Sequence, residues 1–438
     1  MILGNARILV ENSSLKKDMG ILIENGTIIE IGDTHTLRQK HNVEFYDCRN
    51  RIVMPGLVCA HTHTYSAFAR GMPVKTPLTD FLHILKNLWW KLDSVLDREA
   101  VEYSAWVSFI EGVKHGTTTY FDHHASPQYI ANSLETIGDV AKKVGIRANL
   151  SYEITDRYGE EKAIEAIKEN EKFVKLNRSQ MLTGMIGLHA SFTLSDETLA
   201  KVKEIKKNTE SGIHIHVAED VVDEKYTIEK YGCDVVSRLE KFELLDEKSL
   251  CVHCIHLSDA EIEKLAAREA NIVHCAASNM NNAVGWSKIP LFLSRDMPVF
   301  LGTDGFTHDM FTEAKVCHIL HKFATGKTTE MPASKAFELL AANAKLAQKF
   351  FGVNLGKIAE GYAADLVLID YKNYTPLNSL NFPWHFVFGM DATQVTDVLV
   401  NGRFLVKDRK LWFDENPIIE KSIKISEQIW EKFEKVNT

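Results

Sequence analysis

The sequence predicts an α/β fold: one (β/α)8, TIM-like barrel with a small β-sandwich formed from both termini. Three observations carry this reading. Between Pro55 and about Gly352, short β-branched runs alternate with longer helical stretches. The two ends are β-rich in a different style. Polar residues gather where the central runs finish.

The central runs are 56-GLVCAHTH-63, 116-GTTTYFDHH-124, 145-GIRANLSYE-153, 183-TGMIGLHA-190, 212-GIHIHVAE-219, 249-SLCVHCIH-256, 271-NIVHCA-276 and 298-PVFLGTDG-305. Eight such runs with helices between them are what a (β/α)8 barrel requires. In the stretch Glu160 to Leu176, Ala163, Ile164, Ile167 and Val174 fall on one helical face, and the alternating charges read as a solvated one. A doubly wound sheet would carry a Gly-rich phosphate turn after its first strand, and none is present.

At the ends, Asn25-Gly26 divides Gly20 to Gly32, and Asn401-Gly402 divides Val395 to Val406. Such pairs suit type I′ hairpin turns, whose two central residues both need positive φ. The expected domains are a sandwich from 1–54 plus 355–415, a barrel over 55–354, and a closing helix over 416–438. In that helix Ile418, Ile419, Ile423, Trp430 and Phe433 take helical spacing.

Composition narrows the function. The 438 residues are 45% hydrophobic and 25% charged, with 51 basic against 59 acidic side chains and a net charge of -8. A nucleic-acid binder usually has a basic surplus, so none is expected as partner. No secretory signal is seen, and no apolar run approaches the ~20 residues that span a bilayer. Seven cysteines without regular spacing read as reduced thiols. A cytoplasmic enzyme acting on a small molecule, away from membranes, is expected.

The run ends supply the chemistry, because barrel enzymes work at the C-terminal ends of their strands. His61 and His63 are two apart on the first run, so both point to one face. Alone, that pair fits barrel-lining histidines bonded to backbone or water equally well. His216 and Asp304 at matching depth turn the reading to one divalent metal ion, since charged groups in a barrel mouth need partners. Three imidazoles and a carboxylate suit Zn2+, or Fe2+, with one position open for water. Coordination brings that water's pKa from 15.7 towards ~7. Glu219, three residues beyond His216, can reach substrate without binding metal and is the candidate proton shuttle. Asp304 can also accept the water's proton. Trp89 and Trp90, after the first run, offer an aromatic wall to a planar ring, or pack between helices.

The strings PGLVCAHTHTYSAFARGM, HIHVAED, VHCIHLSD and FLGTDG, with FDHHASP after the second run, resemble the amidohydrolase superfamily. The likeness is to its mononuclear aminohydrolase (deaminase and chlorohydrolase-like) branch, and within it to the aminohydrolases called SsnA. It covers nearly the whole chain, with the motifs in family order. It implies His61, His63, His216 and Asp304 as metal ligands and Glu219 as shuttle. It further implies that His253 orients the attacking water and that His189 contacts substrate; His124 is placed with the substrate contacts. The fourth run ends Leu188-His189-Ala190, without the carboxylated lysine of binuclear relatives, which implies one metal and argues against dihydropyrimidinase-like chemistry. Adenosine-type relatives carry a glutamate where this chain has Trp89-Trp90-Lys91-Leu92-Asp93, which weighs against a nucleoside substrate.

The expected activity is therefore deamination of an aminated nitrogen heterocycle, purine-like first, with release of ammonia. The alternatives are another C–N or C–Cl bond on the same fold, or an inactive binding protein. The resemblance also implies a homodimer. Other strings are set aside. Gly326-Lys327-Thr328 lacks the earlier glycine of a phosphate loop, where His321 stands. Cys251 and Cys254 read as packing residues, His214 as a satisfied core histidine, and His123 as facing a helix, away from Asp122 and His124.

Overall fold

The structure, a computed structural model, describes residues 1–10 and 14–436. The two ends of the chain build one hydrogen-bonded nine-stranded sheet, and Leu3, Ile21, Ile23 and Ile28 from one terminus share a buried cluster with Leu366, Leu368 and Leu399 from the other. The strand Ile52–Pro55 is the reason. It pairs parallel with Ile2–Val10 and antiparallel with Leu366–Ile369, so the ribbons from the two termini join edge to edge. Asn25 and Gly26 take φ of 48° and 80°, and Asn401 and Gly402 take 47° and 70°, which the primed hairpin turns require.

All eight expected central strands are present and parallel. They are Leu57–Thr62, Thr117–His124, Arg147–Tyr152, Leu182–Gly184 continuing as Ile186–Leu188, Ile213–Val217, Leu250–His253, Asn271–His274 and Val299–Leu301. Their ladders form two arcs. The fourth strand is shared between them: Leu182–Gly184 pairs with the third strand, and Ile186–Leu188 with the fifth. The first and eighth strands meet through the single bridge Thr62↔Asp304. There the Asn343 side chain donates to the carbonyls of Val58 and Leu301, both at 2.7 Å, replacing ladder bonds. Gly302 lies on the same seam, where a Cβ would come within 2.8 Å of the His61 backbone oxygen.

Alternating residues fill the space between the arcs. Val58, Ala60, Phe121, Met185, Leu250, Val252, Val273 and Phe300 form one buried cluster, stopped at one end by Ala347 and Phe351. Their neighbours Cys59, Ile215, Cys251, Ile272 and Leu301 pack in the surrounding cluster. The bidentate pair Arg147–Asp365 ties the third strand to the terminal sheet, with both side chains almost fully buried.

The last helix is Asn416–Lys435. It buries Ser422, Ile425, Ile429 and Phe433, while Ile419 and Ile423 are exposed, so its inner face lies round from the expected one. No helix among the described residues is long and apolar enough to cross a membrane.

Candidate active site

Strict alternation would turn His61 outward with Cys59, because Val58 and Ala60 already face inward. The backbone corrects this. Between Cys59↔Tyr120 and Thr62↔Asp122 the first strand carries one residue more than the second, a β-bulge. His61 and His63 both enter the interior as a result. The sixth strand uses a different device: Leu250 and Val252 face in, yet His253 does too, because His253 and Cys254 take left-handed φ of 70° and 50°. Such non-glycine conformations cost ~1–3 kcal/mol each and gather at functional sites. His216 needs no device, since Ile213, Ile215 and Val217 face outward.

These strand ends bring together four donors whose ligating atoms lie within 4.8 Å of one another: His61, His63, His216 and Asp304. Asp304 Oδ1 is 3.0 Å from His63 Nε2 and 3.3 Å from His61 Nε2, and the His63 and His216 Nε2 atoms are 3.3 Å apart. The second nitrogen of each ring is engaged elsewhere. His61 Nδ1 meets His214 Nε2 at 2.8 Å, His63 Nδ1 meets the His123 carbonyl at 2.5 Å, and His216 Nδ1 meets the His189 carbonyl at 2.9 Å. Those partners leave all three Nε2 lone pairs free to converge, the usual setting of metal-bound histidines. His61 Nε2 is buried without a hydrogen-bond partner. Burial lowers His63's proton affinity, but Asp304 beside its Nε2 overcomes this and raises it to about 9. The residues present fit a divalent cation.

Two further groups border this set. Glu219 Oε2 lies 3.4 Å from His253 Nε2, and Asp304 Oδ2 lies 3.9 Å from the same nitrogen. Burial raises the Glu219 carboxyl to about 7, opposed by His253. His253 Nδ1 donates to Asn279 Oδ1 at 2.7 Å, which fixes the ring with Nε2 facing Glu219 and Asp304.

A cavity of about 600 Å³ opens over these groups. His63, His216, Glu219, Asp304, His189, Trp89 and Trp90 all line it. Trp89 ends a π-helical turn, Leu85–Trp89, set into the segment after the first strand, and Trp90 opens the helical turn that follows, Trp90–Asp93. Widened turns of this kind recur at functional sites. Asp93, Glu153 and Arg157 line the cavity as well, and none was singled out from the sequence. Glu153 had a legible signal, since it ends the third run as Glu219 ends the fifth.

Two expectations are corrected. His124 does not line the cavity; its Nε2 binds Ser126 Oγ at 2.9 Å and its ring packs on Tyr65 and Tyr152. His123 points inward instead, 4.9 Å from His214 and His216 between ring centroids, because Phe121 sets that parity. Asp122 accepts from the Thr64 amide at 2.8 Å and shapes the loop after the first strand. His274, Cys317 and His321 also cluster, outside the barrel interior. There both Nδ1 atoms lack partners, so the 3.2 Å His274–His321 contact reads as one hydrogen bond between imidazoles.

The chain is 31% identical to a 5′-deoxyadenosine deaminase of Methanosarcina mazei, covering 98% of both chains. It is 32% identical to one of Methanocaldococcus jannaschii, covering 95% of this chain and 98% of that one. Its fold is similar to the crystal structure of an adenosine deaminase from Xanthomonas campestris with bound zinc, at a TM-score of 0.84 and 22% identity over 99% of this chain and 98% of that one. The narrower likeness to SsnA is carried by none of these three. The amidohydrolase family description matches residues 52–405, and the chain belongs to the amidohydrolase family, as a hydrolase of carbon–nitrogen bonds.

Proposed function

We propose that this chain is a single-metal aminohydrolase that removes ammonia from an aminated nitrogen heterocycle, a purine-like base first. One observation carries the reading: His63, His216 and Asp304 of the four-donor set line one cavity with Glu219, and His253 lies 3.4 Å from Glu219 behind it. The deaminase names of the relatives support it.

A divalent ion on those four donors, zinc in this reading, supplies the Lewis acidity that makes water nucleophilic near neutral pH. The remaining work falls to side chains. His253, held by Asn279, aims Nε2 at the space beside Glu219 and Asp304, where it can hold the water and fix its line of attack. Glu219, raised to about 7, is matched to taking the water's first proton and passing it to the ring nitrogen. Asp304, whose Oδ2 lies 3.9 Å from His253 Nε2, can receive the second proton and return it to the departing amine. Trp89, Trp90, Tyr65 and His189 line the cavity in which a flat ring would sit.

In this reading the two arcs act as one closed barrel with the site at its mouth, and the terminal sheet is a separate layer. The protein works in the cytoplasm, in keeping with seven unpaired cysteines. It pairs as a homodimer, to which the exposed, stacked Trp384 and Phe388 offer an apolar face; a monomer mass by light scattering contradicts that.

The test is ammonia release by zinc-loaded protein across aminated purines, pterins, pyrimidines and triazines. A purine-like substrate giving one ammonia per turnover is expected. Release of chloride without ammonia, or no turnover on the whole panel, contradicts the proposal.

A further inference from the structure

Outside the barrel interior, three side chains of metal-ligating type meet with no part in the chemistry above. Val273 faces the interior, so strand alternation turns His274 the other way, towards the helix Met310–Thr325. On that helix Cys317 and His321 are four residues apart and so share one face. All three are fully buried, and one ligating atom from each lies within 4.8 Å of the other two. The His274 and His321 rings lie 5.0 Å apart between centroids, with Trp286 packed 5.9 Å from His321. None of the three lines the active-site cavity.

In the metal-free chain the two rings share a hydrogen bond of 3.2 Å between their Nε2 atoms. That spacing also suits two nitrogens on one ion, since ligands ~2.0 Å from a metal and ~110–120° apart lie about 3.3–3.5 Å from each other. The thiol decides which ion fits. Two neutral imidazoles and one thiolate carry a single negative charge, so a monovalent ion leaves the site neutral. A divalent ion would leave a positive charge in the apolar cluster that holds Cys317, which burial penalises heavily. Glu313, one turn before Cys317, is already taken up by the amides of Ala276 and Ala277. Three donors rather than four, one of them a soft thiolate, point to a soft ion of low coordination number.

Independently of the deamination reading, we propose that His274, Cys317 and His321 form a second metal site, which takes one Cu(I) ion. Binding breaks the Cys317 S–H bond and forms a Cu–S bond, and the thiol proton leaves to solvent. The ring that donated from Nε2 carries its proton on Nδ1 instead, so both Nε2 lone pairs turn to the ion. No oxidation state changes. The ion pins the end of the seventh strand to the helix Met310–Thr325. That strand end leads into Ser278 and Asn279, whose side chains bond Asp304 and His253.

The probe is Cu(I) itself, titrated without oxygen into reduced, zinc-loaded protein in competition with a coloured Cu(I) chelator such as bathocuproine disulfonate. One Cu(I) per chain should be held while the zinc stays bound. X-ray absorption at the copper edge should show one sulfur and two nitrogen donors. Loss of a supporting partner alone costs ~10–100-fold in metal affinity, so loss of a ligand in Cys317→Ser should cost roughly 100-fold or more. Cys251→Ala, which removes a thiol outside the cluster, should keep the wild-type affinity. The ion should also raise the thermal midpoint of the wild type and not that of Cys317→Ser. The proposal is overturned if the wild type cannot hold Cu(I) against the chelator or if Cys317→Ser holds it equally well. A copper edge with two sulfur donors, or zinc filling the cluster in place of copper, overturns it too. The wild-type stoichiometry and absorption spectrum decide the case even if a variant fails to fold. Ammonia release enters none of these readouts, so the deamination reading stands or falls apart from them.

Discussion

His61 Nδ1 lies 2.8 Å from His214 Nε2, with both rings fully buried. For His61 to offer Nε2 to a metal, its proton must sit on Nδ1 and point at His214. His214 then carries its own proton on Nδ1, 3.4 Å from Ser151 Oγ, and Ser151 donates onward to the Asp122 carbonyl at 3.0 Å. The chain fixes one tautomer at every step. His214→Ala should therefore weaken metal affinity by roughly 10–100-fold, the usual range for such supporting partners. Competition with a calibrated zinc chelator measures it, and an unchanged affinity contradicts the relay.

Glu219 gives a pH signature. With its carboxyl raised to about 7, its ionised form is lost as pH falls through that value. If it acts first as a base, kcat/KM should drop about tenfold per pH unit below about 7. Glu219→Gln should retain full metal content, lose roughly 10²–10⁴-fold in kcat and abolish that acid limb. A variant with an intact acid limb contradicts the assignment.

The His253 side chain depends on a left-handed backbone and on Asn279 Oδ1 at 2.7 Å. Asn279→Leu removes the acceptor that selects the Nδ1 proton. We expect kcat to fall tenfold or more, with metal content unchanged, since a general acid–base group in the wrong tautomer cannot serve. Steady-state kinetics beside elemental analysis separates this from metal loss.

The cluster of His61, His63, His216 and Asp304 was legible because residue types and strand-end positions are local features. How they are aimed was not. Simple alternation from Val58 and Ala60 points His61 outward, and the bulge before Thr62 exists only as a register against the second strand. The same limit explains His123 and His124, whose parity follows from Phe121 facing the interior. The hairpin turns at Asn25-Gly26 and Asn401-Gly402 were readable from two residues each. That Ile52–Pro55 would fuse both terminal ribbons into one sheet was not, because pairing over more than three hundred residues leaves no local trace. Asp93 and Arg157 escaped notice because isolated charges in a sequence resemble solvated ones until burial shows otherwise.

Arg147 and Asp365 test the join between the barrel strands and the terminal sheet. Their bonds of 2.7 and 3.1 Å form in a site almost without solvent. Arg147→Met leaves the carboxylate buried and uncompensated, which should cost roughly 3–5 kcal/mol of stability. A urea titration reads this as a lower midpoint, and a loss under about 1 kcal/mol places the pair among weak surface bridges.

Metal titration of stripped protein, followed by ammonia release from an aminated purine, tests the central claim most directly. Activity should be absent in the stripped chain and rise linearly to a plateau at one zinc per chain, with one ammonia formed per substrate consumed. Full turnover without metal, or a plateau only at two ions per chain, contradicts a single-metal site on His61, His63, His216 and Asp304.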